Sequence, residues 1–265
     1  MSAGSEPTRA TFWLLDAPDS LRTQSYREPD GTGLGWFDEE GTPHVEKQPT
    51  AAFKDAEFAR EAREICSKNF LAHVRFATTG ALTQLNTHPF EQDGRLFAHN
   101  GVVKDLPVLE AHLGDDLRLV KGDTDSERYF ALITREIAAH DGDVGAGIRS
   151  ACTWVAQNLP IVSINFVLAT PDQLWALRYP EADTLYVLER PAGEPLEHRS
   201  SLGSCVRCEE AVARPLVVLA SEPMDEDPRW RALAAGELIQ VTGTLEVRSE
   251  EILDHPPARA PSRSG

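Results

Sequence analysis

FLAHVRFATTGALTQLNTHPFEQDGRLFAHNG, residues Phe70 to Gly101, decides how this chain is read. Asn69 to Ala77 is a nearly continuous apolar run, the pattern of a buried strand rather than an exposed one. A loop with Asn86, His88 and Pro89 follows, and then a second short strand, Arg95 to His99, ending at the Asn100–Gly101 pair. Asn-Gly is a common tight-turn dipeptide, so by itself it implies only a turn there. The stretch thus brings an arginine, several hydroxyls, His73, His88, His99 and an Asn-Gly pair onto two strands and the loops after them.

Working outward, Met1 to Ala10 has no apolar periodicity and reads as a loose terminus. Thr11 to Leu21 reads as a short buried helix ending near Pro18. Thr32 to Lys47 reads as a β-hairpin: GLGWF, a turn at DEEG, then alternating PHVEK. Gly33 and Gly35 in its first strand imply a close approach by another backbone or a ligand. Ala56 to Ile65 and Leu106 to Leu113 read as helices. A long helix starts at Asp125, where Thr124 and Glu127 fit a capping box and Tyr129, Phe130, Ile133 and Ile137 share one face. A second runs from about Val144 to Leu159. SINFVLAT, QLWALRY, TLYVLER, PLVVLAS, ELIQVTG and LEVRS then read as strands. Strands at both ends with helices between them give an α+β fold of two sheets and helical layers, one domain over residues 1–254. The proline- and serine-rich tail from His255 to Gly265 is expected to be disordered.

Composition narrows the function. The 265 residues include 42 acidic and 26 basic ones, a formal charge of −16 spread along the chain. Such a surface repels phosphate backbones, which argues against a nucleic-acid partner. No apolar run approaches the roughly 20 residues of a membrane span and no secretory leader is visible, so no membrane partner and a cytoplasmic location are expected. Cys66, Cys152, Cys205 and Cys208 are expected to be free thiols. Cys205 and Cys208 form a lone C-x-x-C, and a zinc site needs about four ligands, so neither a metal nor another cofactor is expected.

HVRFATTG (73–80), NTHPF (86–90), HNG (99–101) and TDSE (124–127) occur in an order and spacing that closely resemble the class II glutamine amidotransferase domain, an N-terminal-nucleophile hydrolase. LWALR (174–178) and ASEP (220–223) extend the resemblance to the small stand-alone branch of that family. The resemblance implies a four-layer αββα sandwich that hydrolyses a γ-amide, releasing glutamate and ammonia or an amine from glutamine or a γ-glutamyl small molecule. Arg75 matches the arginine that grips the α-carboxylate, a task its planar fork suits. Asn100 and Gly101 match the oxyanion hole, and Asp125 the acid that binds the α-amino group. An acid in the first turn is also stabilised by the helix dipole without any ligand. Thr78 and His88 match positions lining the same pocket, in a supporting role. His73 is taken as a core residue, and Ser221 and Glu222 as loop residues. A stand-alone domain has no attached synthase, so released ammonia would pass to a separate enzyme unless a γ-glutamyl compound is simply hydrolysed.

In one respect the chain departs from the family, whose nucleophile is a cysteine directly after the initiator methionine. The freed α-amino group, with a pKa near ~8, serves that thiol as general base. Here Ser2 occupies the place. The preferred expectation is a start upstream of Met1, with about six residues carrying the cysteine and the first strand. The alternatives are Ser2 as the nucleophile, or a catalytically inactive protein that binds glutamine or γ-glutamyl groups.

Overall fold

A computed structural model describes residues 2–77, 80–194, 196–199, 205–208 and 214–259; for residues 2, 196–199 and 205–208 it describes the backbone course alone. Three sheets are formed among these residues. The first orders β13 (Arg231–Ala232), β9 (Tyr186–Arg190), β12 (Leu216–Ala220), β1 (Ser2–Thr8), β4 (Ser67–Arg75), β2 (Gly31–Phe37) and β3 (Pro43–Gln48). The second orders β15 (Val247–Glu251), β14 (Glu237–Val241), β8 (Leu174–Leu177), β7 (Ile161–Ala169), β6 (Arg95–Val103) and β5 (Phe90–Gln92). β10 (Leu196–Arg199) and β11 (Cys205–Cys208) form a separate pair. The helices are α1 (Leu21–Gln24), α2 (Ala56–Glu64), α3 (Leu106–Leu113), α4 (Asp125–Ala139) and α5 (Val144–Asn158).

Alternation along each strand sorts the side chains into layers. On β6, Leu96 and Ala98 point toward the first sheet and pack with Leu71 of β4, Val167 of β7 and Ile239 of β14. Phe97 points the other way, into a core with Tyr129, Phe130 and Ile133 of α4 and Ile148 and Val155 of α5. On β4, Phe70 and Val74 pack outward on Leu34 and on Phe58 and Ala62 of α2. The result is the expected four-layer order of helix, sheet, sheet, helix. Leu71, His73 and Arg75 share the inner face of β4, as Leu96, Ala98 and Asn100 share that of β6. The strand period therefore brings Arg75 and Asn100 to the same space between the sheets.

Most expected elements are present, including the 32–47 hairpin, paired Thr32 to Gln48 through Phe37 to Pro43. Gly33 confirms the close approach: a Cβ there would lie 2.0 Å from the His88 carbonyl oxygen. Three local expectations are corrected. The supposed loose terminus forms β1, because β4 and β12 on either side take up its backbone groups in antiparallel ladders and Ala3 is buried between the sheets. β6 does not stop at His99; it runs through Asn100 and Gly101 to Val103, so the Asn-Gly pair is strand and not turn. Thr124 caps α4 by accepting from Glu127 N, but the Glu127 carboxylate turns back to Gly122 N at 2.6 Å and not to its cap residue.

Of the tail, the described residues include His255, whose carbonyl accepts from the Tyr179 hydroxyl at 2.8 Å, and Ala258, whose N–H donates to Ala156 O at 2.9 Å. Among the described residues no helix is long and apolar enough to cross a membrane.

Candidate active site

Arg75 is the last residue of β4 and is buried. Its Nη1 donates to Ala81 O at 3.2 Å, and its backbone carbonyl accepts from Asp30 N at 2.9 Å. Burial lowers the guanidinium pKa, an effect that Asp30 opposes. The Asn86 side chain donates to the same Ala81 carbonyl and accepts from Asp123 N at 2.8 Å. One carboxamide thus joins the loop after β4 to the segment that leads into α4. Thr78 lies outside the described residues.

Asn100 is exposed, although Leu96 to His99 before it in β6 are buried, and it lines the cavity. Its carbonyl accepts from Ser163 Oγ at 3.2 Å. Gly101 follows with φ +154°, and a Cβ on it would lie 2.0 Å from the Ser163 carbonyl oxygen and 2.9 Å from His99 Nε2. The close approach of the paired strand β7 to β6 admits only glycine there. Asp125 opens α4 with its side chain buried, and its Oδ2 accepts from Val103 N at 2.8 Å. Both the Asn100–Gly101 pair and Asp125 are therefore fixed to the same end of β6.

His88 is buried beneath Gly33, with its ring 4.4 Å from that of His73 and 4.6 Å from that of Phe90. Both His88 ring nitrogens and His73 Nδ1 are shielded from solvent with no hydrogen-bond partner among the described residues. Burial holds His88 well below the usual histidine range, and the charges of His73, His99, Lys47 and Arg75 add to it. Lys47 pins this loop, donating to Thr87 O at 2.7 Å and Pro89 O at 3.1 Å; burial lowers its pKa to about 8.

A cavity of about 640 Å³ lies between the sheets, lined by Arg75, His88, Asn100, Gly101 and Asp125. All the expected site residues within the described chain meet there. Its wall also includes Leu71 to Arg75 of β4 and Leu219 and Ala220 of β12. Ser2 pairs with Phe70 and Val218, so the register directs the N-terminal end of β1 toward that wall. Neither described thiol lines the cavity. Cys66 is exposed and Cys152 is buried against the Tyr129 hydroxyl at 3.0 Å, where burial pushes its pKa up to about 12. No group of three or more His, Cys, Asp or Glu side chains able to hold a metal occurs among the described residues. A cation from β4, a carboxylate from α4 and amide groups from β6 line one cavity, a set that suits a zwitterionic amino-acid end and a reacting carbonyl.

Residues 17–262 match the family described as glutamine amidotransferases class-II. The chain belongs to that family. Among its relatives, gamma-glutamyl-hercynylcysteine sulfoxide hydrolase of Mycolicibacterium smegmatis is 30% identical over 239 residues, covering 86% of this chain and 88% of the relative. The protein of the same name from Mycobacterium tuberculosis strain H37Rv is 31% identical, with 86% of each chain covered. Among solved structures, a glutamine aminotransferase class-II domain protein from Silicibacter pomeroyi superposes with a TM-score of 0.62 at 20% identity, covering 94% of this chain and 96% of that one. Glutamine phosphoribosylpyrophosphate amidotransferase from B. subtilis gives a TM-score of 0.66 at 17% identity, covering 96% of this chain and 49% of that one. These two structures show the fold alone.

In this class-II amidotransferase, several further residues help build the site. Asn86 stands inside the NTHPF motif and was legible as a loop amide. Ser221 and Glu222 line the cavity. Ser126 stands in TDSE and Ser163 opens SINFVLAT, but a serine acquires a role only through its tertiary partners, which neither stretch shows.

Proposed function

We propose that this protein hydrolyses the γ-amide bond of a γ-glutamyl compound, or of glutamine itself, releasing glutamate and an amine or ammonia, with residues 1–254 acting as one catalytic domain. The observation that carries this reading is the convergence of Arg75, Asp125 and the Asn100–Gly101 pair on one cavity. In it, Arg75 grips the α-carboxylate and Asp125 the α-ammonium, while Thr78 and His88 support the pocket. The γ-carbonyl then lies by Asn100 and Gly101, whose side-chain amide and backbone N–H stabilise the tetrahedral oxyanion, each by about 3 kcal/mol. A nucleophile directed by β1 attacks that carbonyl, the amine leaves with a proton, and water releases glutamate from the acyl intermediate.

Relatives of nearly the same length that carry a γ-glutamyl hydrolase name support a γ-glutamyl amine as substrate, and they weigh against an inactive binding protein. They also favour simple hydrolysis over transfer of ammonia to a separate enzyme. The test is glutamate release from glutamine and from a panel of γ-glutamyl amines. It compares the chain as it stands with one given a Met-Cys start ahead of β1. Turnover by the Met-Cys form, faster on γ-glutamyl amines than on glutamine, is expected. Glutamate binding without turnover in both forms would leave only a binding protein.

A further inference from the structure

His99 is buried, and its two ring nitrogens are both engaged. Nε2 lies 3.3 Å from Ser163 O and Nδ1 lies 2.9 Å from Ser126 Oγ. A carbonyl oxygen only accepts, so Nε2 carries the proton and donates it. In a neutral imidazole Nδ1 then has a lone pair, which accepts from the Ser126 hydroxyl. Burial holds the ring below the usual histidine range and so neutral, although Asp125 on α4, the Ser163 carbonyl and Asp183 all favour the charged form.

The ring occupies a junction. It packs directly beneath Gly101, where a Cβ would lie 2.9 Å from Nε2, and the Tyr129 ring meets it edge-on with centroids 5.5 Å apart. Ser163, whose carbonyl accepts from His99, uses its hydroxyl to hold Asn100 O at 3.2 Å. Ser126 and Asp125 are the first two residues of α4, and Asp125 holds Val103 N at 2.8 Å. The start of α4 is thus fastened to β6 on both sides of Asn100–Gly101, at His99 through Ser126 and at Val103 through Asp125.

We propose that His99, with its proton on Nε2 and its Nδ1 lone pair facing Ser126, is the positioning residue that holds the Asn100–Gly101 segment at a fixed distance from Asp125. This assignment rests on the γ-glutamyl reading for its consequence, since it sets the spacing between the oxyanion donors and the group that binds the α-ammonium. A misplacement of about 1 Å between such groups is enough to cost on the order of a hundredfold in rate.

The experiment has two parts. In ¹⁵N-histidine-labelled protein, with the resonance assigned by its loss in His99→Gln, the His99 ring is expected as the Nε2-protonated tautomer at pH 7. Ser126→Ala is expected to shift its Nδ1 resonance. L-glutamate binding is then measured by calorimetry for His99→Gln, which keeps a donor near Ser163 O but loses the Ser126 bond, for Ser126→Ala, and for the double variant. Each single change removes the same hydrogen bond and is expected to weaken binding about fivefold, and the double variant by no more than either. An Nδ1-protonated tautomer, or losses that multiply in the double variant, would overturn the assignment. If the unaltered chain binds no glutamate, the γ-glutamyl reading fails, and the tautomer and its response to Ser126→Ala alone decide the role of His99.

Discussion

At the residue scale the informative contrast is between Arg75 and Asn100, which reach the cavity from opposite sheets. In the proposed reaction the Arg75 charge binds substrate and transition state alike. Arg75→Ala is therefore expected to raise KM by at least tenfold while kcat changes little, and Arg75→Lys is not expected to rescue it, because an ammonium cannot reproduce the planar fork. In the same proposal Asn100 acts on charge that develops only in the transition state, so Asn100→Ala is expected to lower kcat by about 10²–10³ with KM nearly unchanged. Steady-state kinetics on the Met-Cys form separate the two, and the reverse pattern would exchange their roles. Arg75, Asn100 and Asp125 were legible in the sequence because each stands inside a short ordered motif. His99 stands in one too, yet a buried histidine reads as plain core until its partners on β7 and α4 are seen.

At the element scale, legibility followed how far each element depends on its own residues. The 32–47 hairpin and α4 carry their patterns internally, and both were read. β1 does not: SAGSEPT has little strand character, and β4 and β12 impose its conformation, as tertiary context commonly does for strands. β5 was missed although its turn was in view, for Asp93 and Gly94 have φ of 51° and 73°, the dipeptide and geometry of a tight hairpin into β6. The Asn-Gly pair misled in the opposite sense, because the glycine at 101 answers to the closeness of Ser163 and not to a turn. The N terminus of α4 links stability to the site. Thr124 Oγ1 accepts from Glu127 N at 3.2 Å, and the next residue is Asp125. Thr124→Ala is expected to cost about 1 kcal/mol of stability, a fall of about 2–4 °C in Tm. It is also expected to weaken glutamate binding, since the cap sets where Asp125 points. A melting curve and a titration on the same sample check both, and a Tm loss without weaker binding would uncouple the cap from the pocket.

At the scale of the whole molecule, the buried His88 and His99 and the half-buried His73 contribute to the response to acid. Burial lowers His73 to about 4 and lowers His88 and His99 as well. In the unfolded chain each takes up a proton near pH 6.5, whereas in the folded protein each stays neutral to lower pH. The unfolded state therefore binds more protons in this window, and stability falls as pH drops below about 6.5. For His73 the loss runs from about pH 6.5 to below about pH 4 and amounts to roughly 3 kcal/mol. Glu61 works the other way: burial raises it to about 7, so the folded state takes up its proton first and gains stability as pH falls from about 7 toward 4.5. The net slope mixes these terms, and a single replacement isolates one of them. His88 is faced by Lys47 from β3, His73 and Arg75 from β4 and His99 from β6, all of which disfavour its proton. His88→Phe keeps an aromatic ring between His73 and Phe90 and removes the titration. Denaturant unfolding at pH 7, 6 and 5 is expected to show a pH slope shallower than the parent's by up to about 1.4 kcal/mol per unit. Parallel slopes would mean that His88 takes up its proton at the same pH in the folded protein as in the unfolded chain.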